Sequence, residues 1–393
     1  MTKHARSHID DLRGASRLAV EATRGVTALV ERMHLTIASG PAVLGRPLAT
    51  PARVATAPVY ATIKGITKLV GASLDVALAK LVPLVAATPP GPAREALLAV
   101  VNGVLGDYLE TTANPLAIAM HLRHAGIPFE PGALADATAK IVVLVHGSCM
   151  TDGQWLRAGH DHGAALAELG YTPLYVRYNS GLHISTNGRR LAALLDELVA
   201  GWPVPIDELV LVGHSMGGLV ARSACHVAGE LAQPWLARVR ALITIGSPHH
   251  GAPLERGGNW FERMLELTPY SAPLAILGRI RSAGVTDLRH GNVLDADWDG
   301  HDRFAHGRDV RTACPLPARV ACYAIAGTLS PEPGTRLRSD GMVPVDSALG
   351  VHARAEKCLA FPAAHRAIAY GTGHVELIGA RDVYATIRGW LAG

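Results

Sequence analysis

Short apolar runs separated by helix-spaced segments fill the chain after Thr138. Residues 141–145 are continuously apolar, as a strand buried on both faces must be. Helical spacing follows over 153–169, a strand over 172–178 and a helix over 188–200. A strand over 208–212 leads into a helix over 219–229, and another strand spans 240–245. Strands over 319–326 and 357–361 and a closing helix over 382–391 complete the set. This alternation predicts the α/β class, with a mostly parallel central sheet.

One stretch, 252–311, breaks the rhythm. It holds two short amphipathic segments, 260–267 and 272–281, and then a polar loop rich in aspartate. An insertion here is lid-like, with Trp260, Phe261, Met264, Leu265 and Leu267 as an apolar underside. Two helices packed permanently on the core would give the same pattern.

Before Thr138 the spacing is helical, with no good strands. Leu18, Ala22, Val26, Leu29, Met33 and Ile37 recur every three or four residues along one helix face. A second helical segment over 59–84 stops at the breaker Thr88-Pro89-Pro90-Gly91-Pro92. A third starts at Pro92, with proline in its first turn, and a fourth is expected over 115–125. The chain is therefore expected to divide into a helical N-terminal unit, 1–137, and an α/β catalytic domain, 138–393. The helical stripes bury against one another or against that domain; a membrane-surface element is the alternative.

Composition excludes several classes. With 49% hydrophobic and 18% charged residues, the 393-residue chain is globular rather than disordered. A net charge of +4 without a lysine-rich block makes nucleic acid an unsuitable partner. Five cysteines without a C-x-x-C pair form neither a disulfide framework nor a zinc site. Cys314 and Cys322 could pair in an exported protein, but free buried thiols are expected. The first residues lack the apolar core of an export signal. The most lipid-like stretch, 69–87, is interrupted by Asp75, Lys80 and Pro83. An Asp or Lys at mid-membrane costs about 2.5–3.5 kcal/mol on insertion scales, so no span is expected. The expected location is cytoplasmic, with peripheral membrane contact through the N-terminal helices left open. Oligomeric state is not readable.

The candidate chemistry sits at Gly213-His214-Ser215-Met216-Gly217, which is G-x-S-x-G between a strand and a helix. That context marks a nucleophile elbow, whose turn is so tight that only small residues fit two positions either side of the serine. A serine hydroxyl needs a base, and the base needs an orienting acid. Chain order in such a fold puts the acid after a late strand and the histidine last. Asp340, in the small-residue turn Ser339-Asp340-Gly341, meets the first condition; Asp346, Glu332 and Asp309 compete. His374, in Gly371-Thr372-Gly373-His374 ahead of the final helix, meets the second; His365 and His352 compete. Two backbone N–H groups must hold the oxyanion. Met216 follows the nucleophile, and Ser148 lies in the loop after the first predicted strand. His146 is expected to fix that loop by hydrogen bonding. Cys149 stands near the site but has no base of its own. His249-His250 suggest a metal, yet adjacent histidines do not face one ion unaided, so a rigid supporting loop is expected. Asp295, Asp297, Asp299 and Asp302 lack the spacing of a calcium loop.

Four segments together carry a resemblance: VHGS at 145–148, GHSMGG at 213–218, GSPHHGAPLE at 246–255 and SDGMVP at 339–344. From about Lys140 onward the chain resembles lipases and esterases of the α/β-hydrolase superfamily, especially bacterial true lipases and the PGAP1-like group. The resemblance implies Ser215 as nucleophile, Asp340 as acid and His374 as base, and a lid-like insertion. It implies carboxylic-ester hydrolysis through an acyl-enzyme on acyl-ester or lipid substrates, with no cofactor. Acyl transfer on the same triad and a non-catalytic, lipid-associated protein of the same fold are the rival readings. Two departures stand out. Many such lipases are exported, and no export signal is seen here. Glu376 occupies a place that can ligate calcium in these lipases, but no partner ligand is evident.

Overall fold

The computed structural model describes residues 91–130, 134, 136–252, 282–302, 309–333 and 338–393. The helices expected before residue 89 and the amphipathic segments at 260–267 and 272–281 lie outside the described residues.

Eight strands form one sheet: β1 (His121–His124), β2 (Ile127–Pro128), β3 (Lys140–Val145), β4 (Tyr171–Arg177), β5 (Glu208–His214), β6 (Val239–Ile245), β7 (Ala321–Thr328) and β8 (Arg366–Tyr370). Their spatial order is β2-β1-β4-β3-β5-β6-β7-β8. From β4 to β8 every pairing is parallel, whereas β1 is antiparallel to both β4 and β2. The expected mostly parallel α/β sheet is observed. Side chains on β3 alternate between two cores, as the period of two requires. Ile141, Val143 and Val145 join the larger core and Val142 and Leu144 the smaller. The larger lies under α1 (Pro92–Thr111), α3 (Ile184–Gly201) and α4 (Met216–Glu230). The smaller is covered by α2 (His162–Leu166) and by α7 (Arg381–Ala392), which buries Val383, Ile387 and Leu391. Burial on both faces explains why these strands read as unbroken apolar runs.

Three expectations need correction. Residues 115–125 are not a helix but a turn followed by β1. The buried Asn102 carboxamide fixes this turn, donating to Leu116 O at 2.8 Å and accepting from Ile118 N–H at 2.8 Å. Pairing with β4 then outweighs local helical preference. The sheet consequently begins before residue 138, and α1 packs into its larger core, so 92–137 is not a separate helical layer. The last strand is Arg366–Tyr370 rather than 357–361. Leu359 and Phe361 are buried, but they enter the core from a loop, so an apolar run there does not mark a strand.

Of the insertion, 282–302 is described and well packed. It contains α5 (Ala283–Asp287), whose residues are all buried. Ser282 Oγ donates to Gly103 O at 2.6 Å, and Ala283 N–H donates to Asp107 Oδ2 at 3.0 Å, fixing α5 to α1. A further short helix, α6 (Val345–Ala348), follows β7.

Glycines differ sharply in what they tolerate. A Cβ on Gly217 would fall 2.1 Å from Val145 O, whereas one on the exposed helical Gly229 would meet nothing closer than 3.8 Å. Gly217→Ala is therefore expected to lower stability by roughly 1–3 kcal/mol. Gly229→Ala is expected to raise it by roughly 0.5–1 kcal/mol. Urea unfolding midpoints of the two variants, shifting in opposite directions, check both.

Candidate active site

Strand β5 ends where α4 begins, and one residue makes the turn. Ser215 has φ 54° and ψ −124°, a left-handed region that costs a non-glycine residue roughly 1–3 kcal/mol. Its N–H donates to Ile245 O at 2.8 Å, tying the turn to β6. The flanking glycines are required by close approach: a Cβ on Gly213 would lie 2.4 Å from Gly218 Cα. The hydroxyl is thereby presented beyond the carboxyl edge of the sheet, at the N-terminal end of α4, where the helix dipole is positive.

Asp340 lies in the turn after β7, and His374 lies in the loop after β8. The two meet each other and Ser215. His374 Nδ1–H donates to Asp340 Oδ2 at 2.6 Å, and Ser215 Oγ–H donates to His374 Nε2 at 2.9 Å. An ionised carboxylate only accepts, which fixes this tautomer. Asp340 Oδ1 accepts from Met342 N–H at 2.9 Å and Val343 N–H at 2.7 Å, so the buried carboxylate is fully hydrogen-bonded. A third contact, His374 N–H to Asp340 O at 3.0 Å, joins the two loops.

The competing residues stand elsewhere. Asp346 is exposed on α6, and Asp309 is committed to Arg311 and Lys357. His365 Nδ1–H donates to Cys322 O, and His352 packs edge-on to His250.

Ser148 follows β3, and Met216 opens α4. Neither backbone N–H donates to an acceptor among the described residues. Gly147 abuts Ser215; its added Cβ would sit 3.1 Å from Ser215 Cβ. His146 Nδ1–H donates to Gly147 O at 2.8 Å and the ring stacks on Tyr178, so this histidine does brace the loop as expected. Cys149 takes φ 57° and its N–H donates to Ser180 Oγ at 2.9 Å. Burial pushes its thiol up to about 12, so it is held as a thiol at neutral pH.

The adjacent histidines after β6 serve separate contacts. Arg222 Nη1 donates to His249 Nδ1 at 2.9 Å, and His249 Nε2–H then donates to Thr244 Oγ1 at 3.2 Å. His250 instead packs against His352. In the acidic loop, Asp297 Oδ2 accepts from Val293 and Leu294 N–H, while Asp295 pairs with Arg189. Glu376 pairs with Arg157 at 3.3 Å. Among the described residues no group of three His, Cys, Asp or Glu side chains is arranged to hold a metal ion.

Two further histidines touch the loop of His374. Buried His214 donates Nε2–H to His374 O at 2.9 Å, and His162 donates Nε2–H to Leu377 O at 3.0 Å. The only sequence signal was the position of His214 inside the elbow; His162 gave none.

Burial depresses these imidazoles. His146 and His162 are each brought down to about 4, chiefly by desolvation, and His214 and His249 lie well below the ordinary histidine value for the same reason. All four are neutral at pH 7. The unfolded chain binds protons near 6.5, whereas the folded protein does not until much lower pH. Their stabilising contribution is thus whole above about 6.5 and is lost as pH falls toward 4. His146 and His162 alone account for about 3 kcal/mol each at the acid limit. Urea midpoints measured from pH 7 down to 4.5 are expected to fall steadily over that window; a flat profile contradicts the burial of neutral imidazoles.

Both sides of the expected resemblance are met. Residues 194–313 match the family model described as the PGAP1-like alpha/beta domain. A triacylglycerol lipase of Burkholderia plantarii is 30% identical over 148 residues, which cover 35% of this chain and 38% of the lipase. The chain thus matches less than half of that relative's length. Among solved structures, a mature lipase of Bacillus licheniformis superposes with a TM-score of 0.44 at 20% identity, over 70% of this chain and 98% of that one. Naproxen esterase of Bacillus subtilis superposes with a TM-score of 0.36 at 16% identity, over 66% and 84%. The mostly parallel sheet and the tight strand-to-helix turn at Ser215 form an α/β arrangement. No helix among the described residues is long and apolar enough to cross a membrane.

Proposed function

We propose that the protein is a serine carboxylic-ester hydrolase acting on acyl esters through an acyl-enzyme. One observation carries the reading: the unbroken chain from the Ser215 hydroxyl through both nitrogens of His374 to Asp340, at 2.9 and 2.6 Å.

In this mechanism His374 Nε2 takes the proton from Ser215 Oγ as the oxygen attacks the ester carbonyl. The carbonyl electrons move to oxygen, and the Ser148 and Met216 N–H groups receive that oxyanion. Collapse breaks the bond to the alkoxy group, which leaves as an alcohol carrying the proton from His374. Water then gives a proton to His374 Nε2 while its oxygen attacks the acyl carbon. Ser215 is regenerated and a carboxylic acid departs. Asp340 holds the imidazole in the required tautomer and stabilises the imidazolium. Its two backbone N–H partners fix the carboxylate in place, so it orients the ring.

Turnover of p-nitrophenyl esters from acetate to palmitate tests the reading. Wild-type protein is expected to release nitrophenol and to be labelled on Ser215 by a fluorophosphonate. Ser215→Ala is expected to lower kcat by about 10,000-fold or more and to abolish labelling. Asp340→Asn is expected to cost about 10,000-fold in kcat with little change in fold. Turnover that survives Ser215→Ala overturns the proposal. The chain-length profile identifies the preferred acyl group.

A further inference from the structure

His214 precedes the nucleophile in sequence and sits beneath the base in space. Its ring is fully buried, with centroids 4.9 Å from His374 and 6.4 Å from Trp155. Nε2–H donates to His374 O at 2.9 Å. The other nitrogen, Nδ1, has no partner among the described residues. It faces Gly147, where an added Cβ would stand 3.2 Å away.

This is an uneconomical residue for a position of that kind. An apolar side chain would fill a fully buried site without leaving a bare ring nitrogen, and buried polar groups are costly unless partnered. The ring makes one hydrogen bond, and that bond goes to the main chain of His374.

The bond closes a short circuit. His374 N–H is fixed to Asp340 O at 3.0 Å, and His374 C=O is fixed by His214. Both sides of the residue's backbone are thereby pinned, which sets the direction of its Cα–Cβ bond. Because His214 is covalently joined to Ser215, the same imidazole references the base to the nucleophile's own backbone. Farther along the loop, His162 Nε2–H supports Leu377 O, backed by a His160–His162 contact of 3.0 Å. That second support is 377-directed and reaches neither Ser215 nor His374.

We propose that His214 is a positioning residue: its Nε2–H ties the His374 backbone to the strand end that carries Ser215 and so sets the 2.9 Å separation between Oγ and Nε2. The inference rests on the hydrolase reading above.

Three substitutions separate position from packing. His214→Leu fills the site without a donor. His214→Gln can place an amide N–H near the Nε2 position, whereas His214→Asn is one methylene too short. With p-nitrophenyl butyrate, Leu and Asn are expected to lower kcat by about 10- to 100-fold, with KM changing less than about twofold. Gln is expected to recover most of the loss. The fluorophosphonate labelling rate of Ser215 should follow the same order, Gln above Asn and Leu. Proton NMR reads the strut without turnover: the downfield Nδ1–H resonance of His374 should persist in wild type and Gln and broaden or move in Asn and Leu. Equal rates and equal spectra for Gln and Asn overturn the proposal, as does a folded Leu variant with wild-type kcat. If wild-type protein neither turns over nor labels, the hydrolase reading fails, and the resonance comparison still decides the strut.

Discussion

The structure depends on one strained residue. Ser215 occupies a backbone conformation that its side chain disfavours, at φ 54°, and three features pay that cost locally. Its N–H is captured by β6, glycines at 213 and 217 allow backbone to touch backbone, and β5 is buried along six of its seven residues. The strain of roughly 1–3 kcal/mol is small beside the burial of a central parallel strand. Its consequence is geometric. Oγ emerges past the carboxyl ends of the strands, so only residues following other parallel strands can reach it. Ser148 follows β3, Asp340 follows β7 and His374 follows β8; each lies where a loop of the same sheet edge must pass.

That constraint explains what was legible in the sequence. Central strands buried on both faces declare themselves as apolar runs, and β3 through β7 were read to within a few residues. The elbow announces itself because close backbone approach admits only glycine at fixed offsets. Asp340 and His374 were readable because chain order and small-residue loops narrow the choice, even among 19 histidines. Edges were harder. β1 is four residues long and β8 is only partly buried, so neither carries a long apolar signature. Leu359 and Phe361 carry one without being a strand, because a loop can insert side chains into a core as well as a sheet can. His162 contacts the loop of His374 across 215 residues of sequence, a juxtaposition made entirely by tertiary packing.

The buried polar groups around the site divide into two electrostatic kinds. Asp340 has its oxygens satisfied by two backbone N–H groups and an imidazole N–H. The surrounding imidazoles of His146, His162, His214 and His249 are instead held neutral by desolvation. Neutral rings act as fixed donors whose second nitrogen accepts or stands bare. On the proposed mechanism, a charged ring at any of these places would repel an imidazolium on His374. Burial thus keeps positive charge out of the neighbourhood of His374.

Helix α1 belongs to this arrangement although it precedes the whole sheet in sequence. A Cβ on Gly103 would fall 2.1 Å from Cys149 Sγ, and one on Gly106 would fall 1.8 Å from Asn179 Oδ1. The helix therefore approaches the loop after β3 and the loop after β4 with bare backbone. Asn179 Nδ2 donates to Gly106 O at 2.9 Å, Ser180 Oγ receives Cys149 N–H, and Ser282 Oγ donates to Gly103 O. Three segments, the loops after β3 and β4 and the start of α5, are thus held from behind by about one turn of helix. Cys149, in a left-handed conformation next to Ser148, is packed directly against Gly103 of α1. A helix whose sequence suggested a separate N-terminal layer is, by its contacts, the rear wall of the loop after β3.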